Sequence, residues 1–385
     1  MIEKMKIKGT ALFQSLSQAG CKFYTGVPDS VLASFIDAIE QAHCNDEVKH
    51  IIAANEGNAI AIAAGKWLAT GEVPVVYMQN SGIGNAINPL MSLTHECVYR
   101  IPMLLIIGWR GHDDRDEPQH LPQGSITPSL LNSMGIQTET LAAEHHAEEV
   151  LADALERCRR LQSVIAILLP RDALEPLPAS EIIVSGTELY RGEVLGMLLK
   201  RIPQNDIIVS STGFISRDLL HQCRKENRSS DGLFMNVGAM GHTSQIALGI
   251  ALSLPDRTVW CIEGDGSFLM HLGAAATTAN LAPPNLKHVV LDNGVHASVG
   301  GMRHAASGLS LSQVASGLGF RQQTEVSEMA NLEVLLGLEI HQIPALLIIR
   351  ISEKPETLMR PDRTLIELRD RFINTLRHSS GEKNA

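Results

Sequence analysis

Gly264-Asp265-Gly266-Ser267 and, farther on, Asp292-Asn293-Gly294 decide how this chain is read. The first closes an apolar run, Thr258-Val259-Trp260-Cys261-Ile262, and the second closes another, His288-Val289-Val290-Leu291. Short apolar runs of this kind are expected as buried strands. Two strands would then finish side by side, each with an oxygen donor at its C-terminal tip. The Asp265 carboxylate, the Asn293 amide oxygen and a nearby backbone carbonyl make a hard oxygen site suited to Mg²⁺, with positions open for phosphate oxygens. Glycines on both sides of Asp265 let the backbone approach a diphosphate.

The same grammar runs through both halves of the chain. Strands are expected at 22–25, 50–54, 73–78, 103–107 and 164–169, then at 206–210, 258–262, 288–291 and 345–349. Helical patterns fall between them at 30–42 and 58–69, and a long helix is expected from about Ser244. Continuous Val/Ile/Leu runs mean strands buried on both faces, so two parallel sheets flanked by helices are predicted. Pro170, Pro176 and Pro178 interrupt the pattern and mark the seam. That divides the chain into a first domain at 1–178, a linker at 179–188 and a second domain at 189–385. In open parallel sheets ligands sit beyond the carboxyl ends of the strands.

Bulk properties exclude several classes. With 385 residues, 44% hydrophobic and 19% charged, the chain has material for two cores. A formal charge of -10 argues against a nucleic-acid partner. No apolar run is long enough to span a bilayer, and the charged start Met1–Lys6 has no signal-peptide pattern. Six cysteines without a Cys-x-x-Cys pair are expected as reduced thiols in a cytoplasmic protein.

Other motifs fall at expected strand ends. Asn55-Glu56-Gly57-Asn58 opens an alanine-rich helix, where a lone Glu is ordinarily a dipole partner. Asn80-Ser81-Gly82-Ile83-Gly84 lacks the third glycine of a dinucleotide fingerprint, since Ile87 stands there. Ser211-Thr212-Gly213 offers hydroxyls and amides for diphosphate oxygens, as an ordinary strand-to-helix turn also would. The acidic block around Asp113, Asp114, Asp116 and Glu117 is expected as a hydrated loop.

Taken together, the metal motif and the stretches Thr25–Ser30, Ile52–Asn58, Tyr77–Pro89, Gly108–Gly111, Asp116–His120 and His296–Gly301 resemble the phosphonopyruvate decarboxylases. These are short thiamine diphosphate enzymes, and the sulfopyruvate decarboxylases are their relatives. The resemblance covers roughly residues 10 to 350 and implies an α/β fold of two doubly wound parallel-sheet domains, pyrimidine-binding and diphosphate-binding, with no middle domain. It implies thiamine diphosphate and Mg²⁺ as cofactors. It also implies a homo-oligomer whose sites lie between subunits, acting on a small anionic 2-oxo acid with no nucleic-acid or membrane partner.

Residue by residue, the resemblance makes Glu56 the carboxyl that sets the cofactor's tautomer, and Ser81, Gly82 and Gly84 a cofactor-facing loop. Gly238 would offer a carbonyl and Met240 an apolar wedge to the cofactor, with Gly264, Gly266, Ser267, Thr212 and Gly213 around its diphosphate. Asp265, Asn293 and the Val295 carbonyl become the metal ligands, and Asp292 lies behind them. Asp29 or His296 would move the last proton, while Ser30, Arg110, His120 and Arg303 face the substrate. Ala297 stands where the family pattern has Asp, and Met302-Arg303 where it has Gln-Pro. Substrate choice therefore rests on residues 295–303. Sulfopyruvate, another anionic 2-oxo acid, carboligation and a non-catalytic cofactor binder are the alternatives.

Overall fold

The computed structural model describes residues 6–113, 115–142, 147–177, 187–299, 301–305, 308–354, 358 and 361–378. Asp114, Gly300 and most of the expected 179–188 linker lie outside them. The chain divides into two compact units, Met1–Ser180 with Val299–Ala305, and Glu181–Ser298 with Ala306–Ala385.

The first unit holds β1 (Phe23–Gly26), β2 (Lys49–Ile52), β3 (Val75–Gln79), β4 (Met103–Trp109), β5 (Gln137–Thr140) and β6 (Val164–Pro170). They form one parallel sheet in the order β2-β1-β3-β4-β6-β5. The pleat sends alternate side chains to opposite faces, and the core divides accordingly. Tyr24, Val75, Tyr77, Leu104, Ile106, Ile165 and Ile167 join one buried cluster. Val76, Met78, Met103, Leu105, Ile107, Ala166 and Leu168 join the other. Each fully buried aliphatic side chain contributes about 1.5–3 kcal/mol, which explains why these runs carry no polar alternation.

The second unit holds β7 (Ile207–Ser210), β8 (Leu233–Met235), β9 (Val259–Gly264), β10 (Leu286–Asp292), β11 (Gln323–Val326) and β12 (Leu346–Arg350). Its parallel order, read from the far edge, is β8-β7-β9-β10-β12-β11. Counted within its own unit this is again second, first, third, fourth, sixth, fifth. Both units therefore reverse direction between their first and third strands, and the crevice at such a switch point is where ligands settle. The expected long helix from Ser244 is instead Thr243–Ser253, 11 residues. Pro255 follows at once, and a residue before proline disfavours helix.

No helix among the described residues is long and apolar enough to cross a membrane. All six cysteines are free thiols, four of them buried.

Candidate active site

In the first unit the site grows from the ends of β1, β2 and β3. Helix Glu56–Thr70 starts where Asn55 caps it, the Asn55 side chain accepting from the Asn58 N–H at 2.9 Å. Ala59, Ile60, Ala63 and Ala64 are buried along this helix, and Gly71 ends it at φ 72. Glu56, in the first turn, is buried rather than solvated. Burial pushes its carboxyl above the ordinary range, and Asn85, donating from Nδ2 at 2.7 Å, pulls in the opposite direction. Gly82 explains how the carboxyl fits, since a Cβ there would come within 2.2 Å of Glu56 Oε1.

Asp29 follows β1 and is fully buried. Its carboxylate accepts from Gln79 Nε2 at 2.8 Å and from the Val31 N–H at 3.1 Å. Ser81 donates to the other end of the Gln79 amide at 3.1 Å. A Cβ on Gly108 would strike Asp29 Oδ2 at 2.2 Å, so the glycine at the end of β4 makes room for this acid. Burial raises Asp29 to about 6, against the opposing pull of Arg110 and nearby backbone N–H groups.

Between the ordinary 3.8 and about 6, folded Asp29 keeps a proton that the unfolded chain has lost. Its stabilising contribution is therefore complete below the lower value and is lost as pH rises through the upper one, about 3 kcal/mol in all at ~1.36 kcal/mol per unit. Asp29→Asn should accordingly gain stability relative to the unsubstituted protein from pH 4.5 to 7.5 in urea titrations. A difference that stays flat across that range contradicts the assignment.

One expectation for this unit is corrected. Arg110 forks its Nε and Nη2 onto Asp116 at 2.6 and 2.5 Å. Asp116 is correspondingly no part of a hydrated loop, because its side chain is 1% exposed and also accepts from the Gly111 and Glu117 N–H groups. These donors hold its carboxyl well below the usual range despite burial. Asn80 ties the same loop down, donating to the Arg110 carbonyl and to Thr127, both at 3.0 Å. His120 stands at the start of helix Leu121–Ser133 with its Nδ1 buried and without a hydrogen-bond partner among the described residues. Gly84 faces open space, and Ser30 and Arg303 are exposed.

In the second unit the ends of β7, β9 and β10 converge. Asp265 is the first residue of the short helix after β9, and its carboxylate accepts from the N–H groups of Gly266 at 2.7 Å, Asn293 at 3.2 Å and Gly294 at 2.7 Å. Asn293 Oδ1 accepts from the Val295 N–H at 3.0 Å. Burial, and after it the adjacent Asp265 carboxylate, raises Asp292 to about 6. A divalent cation fits this donor set of carboxylate and amide oxygens, since it relieves the repulsion between the two acids. A Cβ on Gly266 would sit 2.7 Å from the His296 ring and 3.5 Å from Met240 Cε. The expected wedge and the expected proton carrier therefore meet at the metal loop.

Several supports were not visible in the sequence. Glu263 accepts from Ser267 Oγ at 2.6 Å and pairs with His288 Nε2 at 2.8 Å, while Ser267 accepts from the Gly241 N–H at 3.2 Å. Asn236 staples the Gly238–His242 loop by donating to the Ala239 carbonyl at 2.7 Å and to Thr243 at 3.1 Å. The Gly238 carbonyl already accepts from the Met240 N–H at 2.9 Å, which leaves one lone pair for a ligand. The Thr212 hydroxyl donates to the Val237 carbonyl at 2.9 Å, so it braces the loop rather than standing free. Gly213 follows at φ 90, a conformation closed to other residues, and opens helix Phe214–Lys225.

Two doubly wound units, one with a buried glutamate and one with a metal-type Gly-Asp-Gly loop, are matched by the two domains of the thiamine pyrophosphate enzymes, whose cofactor is also called thiamine diphosphate. Residues 8–133 match the thiamine pyrophosphate enzyme family's N-terminal TPP binding domain, and residues 216–333 match its C-terminal TPP binding domain. The chain is 35% identical over 330 residues to a phosphonopyruvate decarboxylase of Streptomyces viridochromogenes, covering 80% of this chain and 79% of that one. To the phosphonopyruvate decarboxylase of Streptomyces hygroscopicus it is 34% identical over 351 residues, 86% and 84% of the two chains. A sulfopyruvate decarboxylase of Methanosarcina acetivorans is 32% identical over 276 residues, 65% and 68% of the two chains. This chain belongs to the phosphonopyruvate decarboxylase family of thiamine pyrophosphate enzymes.

Proposed function

We propose that this protein converts 3-phosphonopyruvate to phosphonoacetaldehyde and CO₂ with thiamine diphosphate and Mg²⁺, as a cytoplasmic homo-oligomer. The chemistry rests on one observation above all, the buried Glu56 carboxyl seated against Gly82 with its affinity for protons raised. The substrate rests on the two Streptomyces relatives, whose similarity runs over four fifths or more of this chain.

When bound, the cofactor takes up the electrons released with CO₂. Glu56 holds a proton toward the pyrimidine ring and so selects its reactive tautomer. Asp265, the Asn293 amide and the Val295 carbonyl hold the metal, with Gly264, Gly266, Ser267 and Gly213 lining the diphosphate. Asp29, raised to about 6, is the first candidate to give a proton to the carbon that loses CO₂, and His296 is the second. The phosphonate dianion is met by Arg303, His120 and the guanidinium edge of Arg110 that Asp116 leaves open. Each unit supplies half of a cofactor site, and the complete site joins halves from two subunits.

The relative from Methanosarcina, together with Ala297 and Met302-Arg303, makes sulfopyruvate the competing substrate. Assayed in competition, phosphonopyruvate is expected to show a kcat/KM at least about tenfold higher, a discrimination of about 1.4 kcal/mol. A reversed ratio assigns the enzyme to sulfopyruvate.

A further inference from the structure

Behind the metal loop lies a buried ion-pair chain that no motif announces. Arg191, the first residue of helix Arg191–Arg201, is 4% exposed. Its Nε donates to Asp218 at 3.1 Å, its Nη1 pairs with Glu353, and its guanidinium lies 5.0 Å from the centre of the Phe214 ring. The other Glu353 oxygen accepts from Asn293 Nδ2 at 2.7 Å. On its opposite side the Asn293 amide accepts from the Val295 N–H at 3.0 Å.

These contacts leave the amide one orientation. A carboxylate only accepts and a backbone N–H only donates. Turning the Asn293 side chain over would set oxygen against oxygen at Glu353 and N–H against N–H at Val295. Asn293 Oδ1 is thereby kept turned to the Val295 N–H, within the same loop whose Asn293 and Gly294 N–H groups Asp265 gathers. Arg191, itself anchored on Asp218, holds Glu353 in turn, since a carboxylate as buried as this one needs a cation beside it.

We propose that Glu353 is a positioning residue for the divalent cation, fixing the Asn293 amide with its oxygen toward the metal. This rests on Asn293 being a ligand, as the proposed function has it. Metal-ligand orientation by an outer partner is commonly worth 10–100-fold in metal affinity.

Glu353→Gln supplies the test. Arg191 demands the glutamine oxygen, so the glutamine NH₂ faces Asn293, and the Asn293 amide must turn over to accept from it. Calorimetric titration of Mg²⁺ into protein with thiamine diphosphate, without substrate, should show affinity lowered about 10–100-fold. The apo protein should melt close to the unsubstituted one. Adding Asn293→Asp should restore affinity in the E353Q background, because a carboxylate has no wrong face. The same change beside the resident Glu353 carboxylate should weaken it, although it adds a charged oxygen. If E353Q does not fold, N293D alone carries the test, and a gain in Mg²⁺ affinity overturns the proposal. Unchanged affinity in E353Q, or a loss that N293D does not restore, overturns it as well. Absence of Mg²⁺-dependent cofactor binding in the unsubstituted protein is a different result, because it removes the cofactor reading itself.

Discussion

Replacing Glu56 with Gln is expected to lower turnover by about 10²–10⁴-fold, the range that positioned acid–base groups supply. Mg²⁺-dependent binding of thiamine diphosphate should stay within a few fold. The separation follows from where the charges lie. The proposed diphosphate and metal groups are Asp265, Asn293 and their glycine-rich neighbours in the second unit, whereas Glu56 opens the helix after β2 in the first. Glutamine keeps the volume beside Gly82, where there is no room for an added atom, and it still accepts from Asn85 Nδ2. Only the exchangeable carboxyl proton is lost. Steady-state rates with a calorimetric cofactor titration measure both quantities, and turnover like that of the unsubstituted protein would remove Glu56 from its role.

Asp265→Asn should have the second largest effect, on binding rather than on the chemical step. The Asn293 and Gly294 N–H groups share Oδ2 and can keep an oxygen acceptor in the variant, while the Gly266 N–H loses its acceptor at Oδ1. What disappears is the one formal negative charge in the proposed ligand set. Mg²⁺ affinity is expected to fall by at least about 100-fold, the upper end of what an outer partner costs. Cofactor binding at millimolar metal should fall with it. Retention of metal-dependent cofactor binding would place the cation elsewhere.

The interior of both sheets was legible because its strands are apolar throughout. β1, β2, β3, β4, β6, β7, β9, β10 and β12 all lie where the apolar stretches predict them. The unanticipated β5, β8 and β11 are edge strands, and Gln137–Thr140 and Gln323–Val326 show why. A strand paired on one side carries polar side chains such as Gln137, Glu139, Gln323 and Glu325, so the apolar signal is absent. Site residues divide in a similar way. Asp265, Asn293 and Glu56 stand out as candidates in the sequence because glycines and strand ends frame them. Glu353, Arg191 and Glu263 do not, because they touch the site through partners distant in sequence, with Asn293 and Glu353 60 residues apart. Asp116 was misread as part of a hydrated loop for a related reason: a sequence shows that an arginine follows a strand but not that Asp116 occupies its fork.

The most direct test of the central claim is the release of CO₂ and phosphonoacetaldehyde from 3-phosphonopyruvate by purified protein. Thiamine diphosphate and Mg²⁺ are supplied together, singly or not at all. The two products are expected in equal amounts, only when both cofactors are present, and at rates well above those with pyruvate. No CO₂ from phosphonopyruvate under the complete condition, or release that does not depend on thiamine diphosphate, would contradict the account.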